Sequence, residues 1–164
     1  MRKVAVVGAG KIGSTVVDLL VGSGAYEVLV IDQSDEALKA LQPRIGVQTA
    51  AMAIDDVDAL AQALKGRFAV VNCAPYHLTV TVARAAAAAG AHYLDLTEDV
   101  ASSRVTRELA QTSGTAFIPQ CGLAPGFITI AAWDLCKHFD ELHDVRLRVG
   151  ALPRYPSNAL NYNL

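Results

Sequence analysis

The sequence predicts an α/β fold, a doubly wound parallel sheet, and three observations carry that prediction. An apolar run, KVAVV, leads straight into Gly8-Ala9-Gly10-Lys11-Ile12-Gly13. A second apolar run, EVLVI, ends on an acid, Asp32, about 20 residues beyond that loop. From there strand-like and helix-like runs alternate, as parallel strands joined by crossover helices do. This order of parts is what a Rossmann dinucleotide site needs. Gly8 permits the tight turn off the strand, Gly10 lets backbone approach a pyrophosphate, and Gly13 lets helix and strand pack closely. The helix N-terminus then offers free N–H groups and a partial positive charge to the phosphates.

The elements follow in order. The first helix is expected to carry Ile12, Val16, Leu19 and Leu20 on one face and to end at Gly22 or Gly24. Ser34 is the expected N-cap of a helix through Leu41, stopped by Pro43. A weak third strand is read over 47–52, and Asp56 caps a helix carrying Leu60 and Leu64 to Gly66. FAVVN, 68–72, reads as a fourth strand closed by Cys73-Ala74-Pro75. The Ala-rich helix over 78–89 stops at Gly90; alanine is the best helix former and lets a helix lie close on a sheet. A fifth strand over 92–96, a helix over 100–113 and a sixth strand over 115–119 complete the pattern. At Gly122-Leu123-Ala124-Pro125-Gly126 it changes: a helix from about 129 to about 140 and a strand over 144–150 are expected to begin a second, α+β domain. The chain therefore divides into a dinucleotide-binding domain, 1–124, and the start of another, 125–164. The alternating stretch 159–164 reads as a strand cut short, so a fragment of a longer protein is expected.

Composition narrows the function classes. The 164 residues suit one domain with a small appendage, and a 52% apolar fraction suits strands covered on both faces. A formal charge of −2 gives no electrostatic case for nucleic acid or an anionic membrane. No apolar run approaches the roughly 20 residues of a membrane span, and the N-terminus enters a strand rather than a signal-peptide core. Three widely spaced cysteines, Cys73, Cys121 and Cys136, read as free thiols in a reducing cytoplasm.

Several residues are candidates for chemistry. Gly8, Gly10, Lys11, Ile12, Gly13, Asp32 and Gln33 form the expected cofactor loop and its acid, with Asp55 near the adenine. A carboxylate at Asp32 accepts ribose hydroxyls and repels a 2′-phosphate, which favours NAD over NADP. A surface Asp closing the loop with Ser34 is the alternative, and Arg44 is the nearest basic group in sequence. Ala74 and Pro75, across the switch point from the glycine loop, are expected to line the nicotinamide ribose. Tyr76 and His77 are the first side chains placed to reach a substrate; an exposed helix-start histidine and a tyrosine that only roofs the cofactor are the alternatives. Leu94-Asp95-Leu96-Thr97-Glu98-Asp99 ends the fifth strand with three acids, where carboxylates bind a substrate ammonium or move a proton. Glu98 is the functional candidate there, Thr97 is placed near the nicotinamide amide, and Asp99 reads as a helix cap. His92, His138 and His143 lack metal-ligand spacing, so no metal is expected. Cys121 reads as a buried, inert thiol and Trp133 as core.

With those residues in hand, the chain resembles the saccharopine dehydrogenase family, including its lysine-6-dehydrogenase-like and carboxynorspermidine-synthase-like branches. The likeness rests on GAGKIG, VNCAPYHLT, AGAHYLDLTED and QCGLAPGFI, and spans most of residues 1 to about 150. The family's G-L-D-P-G turn appears with Ala124 in place of the acid, a variant similar to the lysine-6-dehydrogenase-like branch. The resemblance implies a cytoplasmic NAD(P)-dependent oxidoreductase acting on the C–N bond of an amino-acid-derived amine or imine. It also implies a C-terminal domain that closes over the cofactor and makes a homodimer. Tyr76, His77 and Glu98 are the expected catalytic or substrate-contacting residues. The other reading is a non-catalytic dinucleotide-binding regulatory or sensor module. A methyltransferase is disfavoured by the full glycine motif at the very N-terminus. A short-chain dehydrogenase is disfavoured because no Tyr is followed four residues on by Lys.

Overall fold

The computed structural model describes residues 1–42 and 44–150. It divides into two compact units, Met1–Gly122 and Leu123–Leu164. Pro43 as a helix stop and the alternating stretch 159–164 lie outside the described residues.

In the first unit β1 (Arg2–Val7) leads to α1 (Lys11–Gly22), β2 (Tyr26–Asp32), α2 (Asp35–Lys39), β3 (Val47–Ala51) and α3 (Val57–Leu64). Then come β4 (Ala69–Asn72), a turn of 3-10 helix at Tyr76–Leu78, α4 (Thr79–Ala89), β5 (His92–Asp95), α5 (Val100–Ser113) and β6 (Phe117–Ile118). All pairings in the six-stranded sheet are parallel, in the order β3-β2-β1-β4-β5-β6. That order reverses between β1 and β4, which opens a crevice at their carboxyl ends. The register puts Val7 level with Ile31 and Asn72, and Asn72 level with Asp95. The ends of four adjacent strands thus stand in one row.

Both faces of the sheet are covered, as the apolar composition requires. On one face Ala5, Val7, Ile31, Val70 and Tyr93 pack with Leu60 and Leu64 of α3 and Val82, Ala83 and Ala86 of α4. On the other, Val6, Val28 and Val30 meet Val17 of α1 with Leu38 and Leu41 around α2. Fully burying each such valine or leucine contributes about 1.5–3 kcal/mol. Caps stop the helices where the sequence indicates. Ser34 Oγ accepts from Ala37 N, Asp56 Oδ1 from Asp58 N and Ala59 N, and Asp99 Oδ2 from Ser102 N. Gly90 closes α4 in the left-handed region at φ 68°.

Five expectations need correction. The buried stripe of α1 is centred on Gly13 and Val17, with Ile12 and Leu19 exposed, because Gly13 rather than Ile12 faces the Gly8 turn. Helix α2 ends at Lys39, and Leu41 is buried just beyond it. Strand β6 keeps only Phe117–Ile118, since the N–H groups of Thr115 and Ala116 go to Ser113 Oγ and His92 Nδ1 instead of a ladder. In the second unit, α6 (Phe127–Cys136) starts two residues earlier than expected, and among the described residues no strand forms over 144–150. Val145, Leu147 and Val149 alternate there without a pairing partner among the described residues.

Candidate functional site

Three glycines build the mouth of the crevice, each for a different steric reason. Gly8 has φ +103°, and a Cβ there would stand 2.8 Å from the Cys73 carbonyl carbon and oxygen. A Cβ on Gly13 would stand 1.9 Å from Gly8 O, so only glycine lets α1 dock this close to the loop. A Cβ on Gly10 would meet nothing within 4 Å. Gly10 therefore owes nothing to packing; its bare backbone faces open space. It also N-caps α1 without any side-chain hydrogen bond, leaving the first-turn N–H groups available to an anion.

Asp32 closes this loop from the next strand. Its Oδ2 accepts from Ala9 N at 2.6 Å and its Oδ1 from Ser34 N at 2.8 Å. One carboxylate thus braces the glycine loop and the turn into α2, and each oxygen keeps a lone pair for a ligand hydroxyl. A cleft of ≈ 830 Å³ runs from Gly8, Gly10 and Ile12 past Asp32, Gln33 and Asp55 to Ala74, Pro75 and His77. None of the residues lining it is a lysine or arginine. Arg44 is instead turned to α1, bonding both oxygens of Asp18 and the Ala40 carbonyl.

A smaller hollow of ≈ 210 Å³ adjoins it over the ends of β4 and β5, sharing Ile12, Cys73 and Ala74. Tyr76 and Thr97 line this hollow with Asn72, Thr79 and Asp95. Beneath it lies a buried polar network. Asn72 Nδ2 donates to Tyr93 Oη at 3.2 Å, Tyr93 Oη donates to Thr79 O at 3.4 Å, and Asn72 Oδ1 accepts from Ala74 N at 3.1 Å. Burial first, then the charge of Asp95, pushes the Tyr93 hydroxyl far up, so it stays a neutral donor. Asp95 is fully buried; its Oδ1 accepts from Thr97 N and Gln120 N, and its Oδ2 meets no donor among the described residues.

The structure thus brings most of the expected cofactor residues to one cleft and spreads the expected catalytic ones. His77 lines the large cleft and Tyr76 the small hollow, their rings edge to face at 6.0 Å. Glu98 lines neither; it sits with Arg104, Arg107 and Glu108 in a separate hollow against α5. Lys11 is exposed at the start of α1 and does not line the cleft, and Gly13 is buried behind it. Asn72 and Tyr93 went unread in the sequence; the polar residue closing AVVN was the available signal for Asn72, and the tyrosine inside the short strand HYLD for Tyr93.

The thiols and remaining aromatics also settle into place. Burial raises the Cys73 thiol to about 11, which keeps it un-ionised behind the glycine loop. Cys121 is exposed rather than buried, donating from Sγ to Ile118 O, and Trp133 is exposed on α6 rather than core. Neither side chain meets enough apolar surface within its own unit to be covered. Among the described residues no group of three or more His, Cys, Asp or Glu could hold a metal ion, and no helix is long and apolar enough to cross a membrane.

A family model described as "Saccharopine dehydrogenase NADP binding domain" matches residues 4–118. Among solved structures, the chain is similar to the apo, histidine-tagged saccharopine dehydrogenase (L-Glu forming) from Saccharomyces cerevisiae. The TM-score is 0.74 and the identity 20%, over 84% of this chain and 31% of that one. It is also similar to the WlbA dehydrogenase from Bordetella pertussis in complex with NADH and UDP-GlcNAcA, at TM-score 0.64 and 18% identity, over 84% of this chain and 39% of that one. The chain therefore spans well under half the length of either protein, and at such identities the likeness speaks for the fold.

Proposed function

Since the chain belongs to the saccharopine dehydrogenase family, through the dinucleotide-binding domain of that family, we propose that it binds NAD in the cleft and serves an oxidoreductase acting on the C–N bond of an amino-acid-derived amine or imine. The observation that carries the cofactor half is Asp32, held by Ala9 N and Ser34 N at the edge of a cleft with two carboxylates and no cation. A 2′-phosphate entering there would meet negative charge with no lysine or arginine to answer it. Ribose hydroxyls would find acceptors. This favours NAD over NADP, although the family's description names NADP.

Bound nicotinamide supplies hydride transfer; the chain supplies position and proton handling. Gly10 and the α1 N-terminus hold the pyrophosphate, Asp32 and Gln33 the adenosine ribose, Asp55 the adenine side, and Ala74 and Pro75 the nicotinamide ribose. Tyr76, from the small hollow, and His77, from the large cleft, are the side chains proposed to contact a substrate. The proposal extends to a homodimer of the longer protein and to a cytoplasmic setting.

A second reading, a non-catalytic dinucleotide-binding sensor, draws support from Glu98, which lies outside the cleft and leaves fewer acid–base groups beside it. A thermal-shift titration with NAD, NADH, NADP and NADPH tests the cofactor, since a ligand at 100 times its Kd stabilises by about 2.7 kcal/mol. Stabilisation by NADPH over NADH overturns the role of Asp32. Amine-dependent NADH formation by the longer protein separates the enzyme from the sensor.

A further inference from the structure

We propose that Asp95, not Glu98, is the residue that binds the substrate nitrogen, its Oδ2 accepting a hydrogen bond from a primary or secondary ammonium lodged in the small hollow beside the dinucleotide cleft. The inference rests on the C–N reading above and gives it an address. Three observations converge on it.

Asp95 lines the hollow and is fully buried, at the carboxyl end of β5, between β4 and the edge strand β6. Its two oxygens are treated differently by the fold. Oδ1 is saturated by the N–H groups of Thr97, at 3.0 Å, and Gln120, at 3.2 Å. Gln120 makes its bond from a left-handed conformation, φ 65°, which an L residue adopts only when the surroundings hold it there. Oδ2 has no donor among the described residues. Leaving a buried acceptor unmet is costly, so a carboxylate fixed so firmly on one side and orphaned on the other is an acceptor awaiting a donor.

The neighbouring hydroxyl does not fill the gap. Tyr93 is the competitor within reach of Asp95, but its single proton has a second acceptor in Thr79 O at 3.4 Å and its oxygen already accepts from Asn72, so a cationic donor in the hollow can displace it. The hollow also has the right place and size. It shares Ile12, Cys73 and Ala74 with the large cleft, so an amine beside Asp95 would lie next to a dinucleotide bound there. Its ≈ 210 Å³ has room for a small alkylammonium group. A buried carboxylate selects a cation or an N–H over a neutral group of equal shape.

The test follows the amide resonances of Thr97 and Gln120, the two donors on Oδ1, by 1H–15N NMR of the full chain saturated with NADH. Titrating n-butylammonium chloride at fixed ionic strength is expected to give saturable shifts at both amides. The isosteric alcohol 1-butanol is expected to give none. Asp95→Asn keeps the Oδ1 acceptor and replaces Oδ2 by an NH2 group, so the butylammonium shifts should vanish. Equal shifts with butanol, no shift with butylammonium, or shifts that persist in Asp95→Asn overturn the proposal. So does an NADH-induced shift at both amides to which butylammonium adds nothing, since the cofactor's own amide then occupies Oδ2. Should the variant fail to fold, the amine–alcohol comparison on the unaltered chain decides alone. The cofactor reading fails separately: it falls if the Ala9 and Gly10 amides do not respond to NADH, whatever Thr97 and Gln120 do.

Discussion

Asp32 Oδ2 and Ala9 N lie 2.6 Å apart, so the residue that would select the cofactor also fastens the loop that would hold it. Removing the carboxylate should therefore have two effects. Asp32→Ala leaves the N–H groups of Ala9 and Ser34 without their acceptor, and hydrogen bonds to a charged group contribute about 1.5–3 kcal/mol. Ala9 is buried, so its share should be felt in the free protein as a lowered urea midpoint. The preference for NADH over NADPH should fall about tenfold or more, read as the ratio of Kd values. A variant that loses stability and keeps its preference would leave Asp32 a purely structural residue.

The glycines separate packing from binding. Gly13→Ala places a Cβ 1.9 Å from Gly8 O, and backbone cannot give way as a flexible side chain does. Overpacking of this kind costs about 1–3 kcal/mol or more, and α1 should be displaced from β1. Gly10→Ala adds a methyl into empty space at φ −71°, where alanine is at ease. Its thermal midpoint should match or exceed that of the unaltered chain, while the NADH Kd rises about tenfold or more because the methyl occupies the pyrophosphate's approach. Unimpaired NADH binding by Gly10→Ala would place the phosphates elsewhere.

Cys73 gives a pH-dependent signature. Burial raises its folded pKa from 9.0 to about 11, so between those values the folded chain holds a proton that the unfolded chain releases. Stability contributed this way is complete below about pH 9, is lost as pH rises, and is gone above about pH 11. A shift of this size corresponds to about 2–3 kcal/mol. Urea unfolding of the native chain and Cys73→Ala across pH 8–11 should show the difference between them narrowing by that order. A pH-independent difference would mean that the thiol titrates as it does in water.

The succession of strands and helices was legible because the apolar strands end in turn chemistry and three of the crossover helices carry a side-chain cap. Ser34, Asp56 and Asp99 cap the helices that the sequence assigns to them. The glycine loop was legible for the same reason, since φ and close approach restrict the residue type. What escaped were properties that depend on register. That Asn72 stands level with Asp95, and that the Tyr93 hydroxyl reaches Asn72, follows from which strands are neighbours, not from spacing along the chain. Glu98 and Asp95 look equally placed in LDLTED. Three residues apart, at and beyond a strand end, they face different hollows. Segment 144–150 failed for a related reason, because alternation makes a strand only when another strand is there to pair with it.

The buried network offers the last discrimination. Tyr93→Phe keeps the ring against Phe117, centroids 5.3 Å apart, and deletes only the hydroxyl. Asn72 Nδ2 then loses its acceptor and Thr79 O its donor, both in the interior. One unmet buried group costs about 1–3 kcal/mol, so chemical denaturation should show a loss in that range or slightly above it. Asn72 Oδ1 remains bonded to Ala74 N, which keeps the wall of the large cleft in place, and the NADH Kd should move less than about twofold. A near-neutral variant would mean that water already competes for the network. A stability loss joined to a tenfold loss of NADH affinity would mean that the hydroxyl positions Ala74 through Asn72, tying the floor of the small hollow to the wall of the large one.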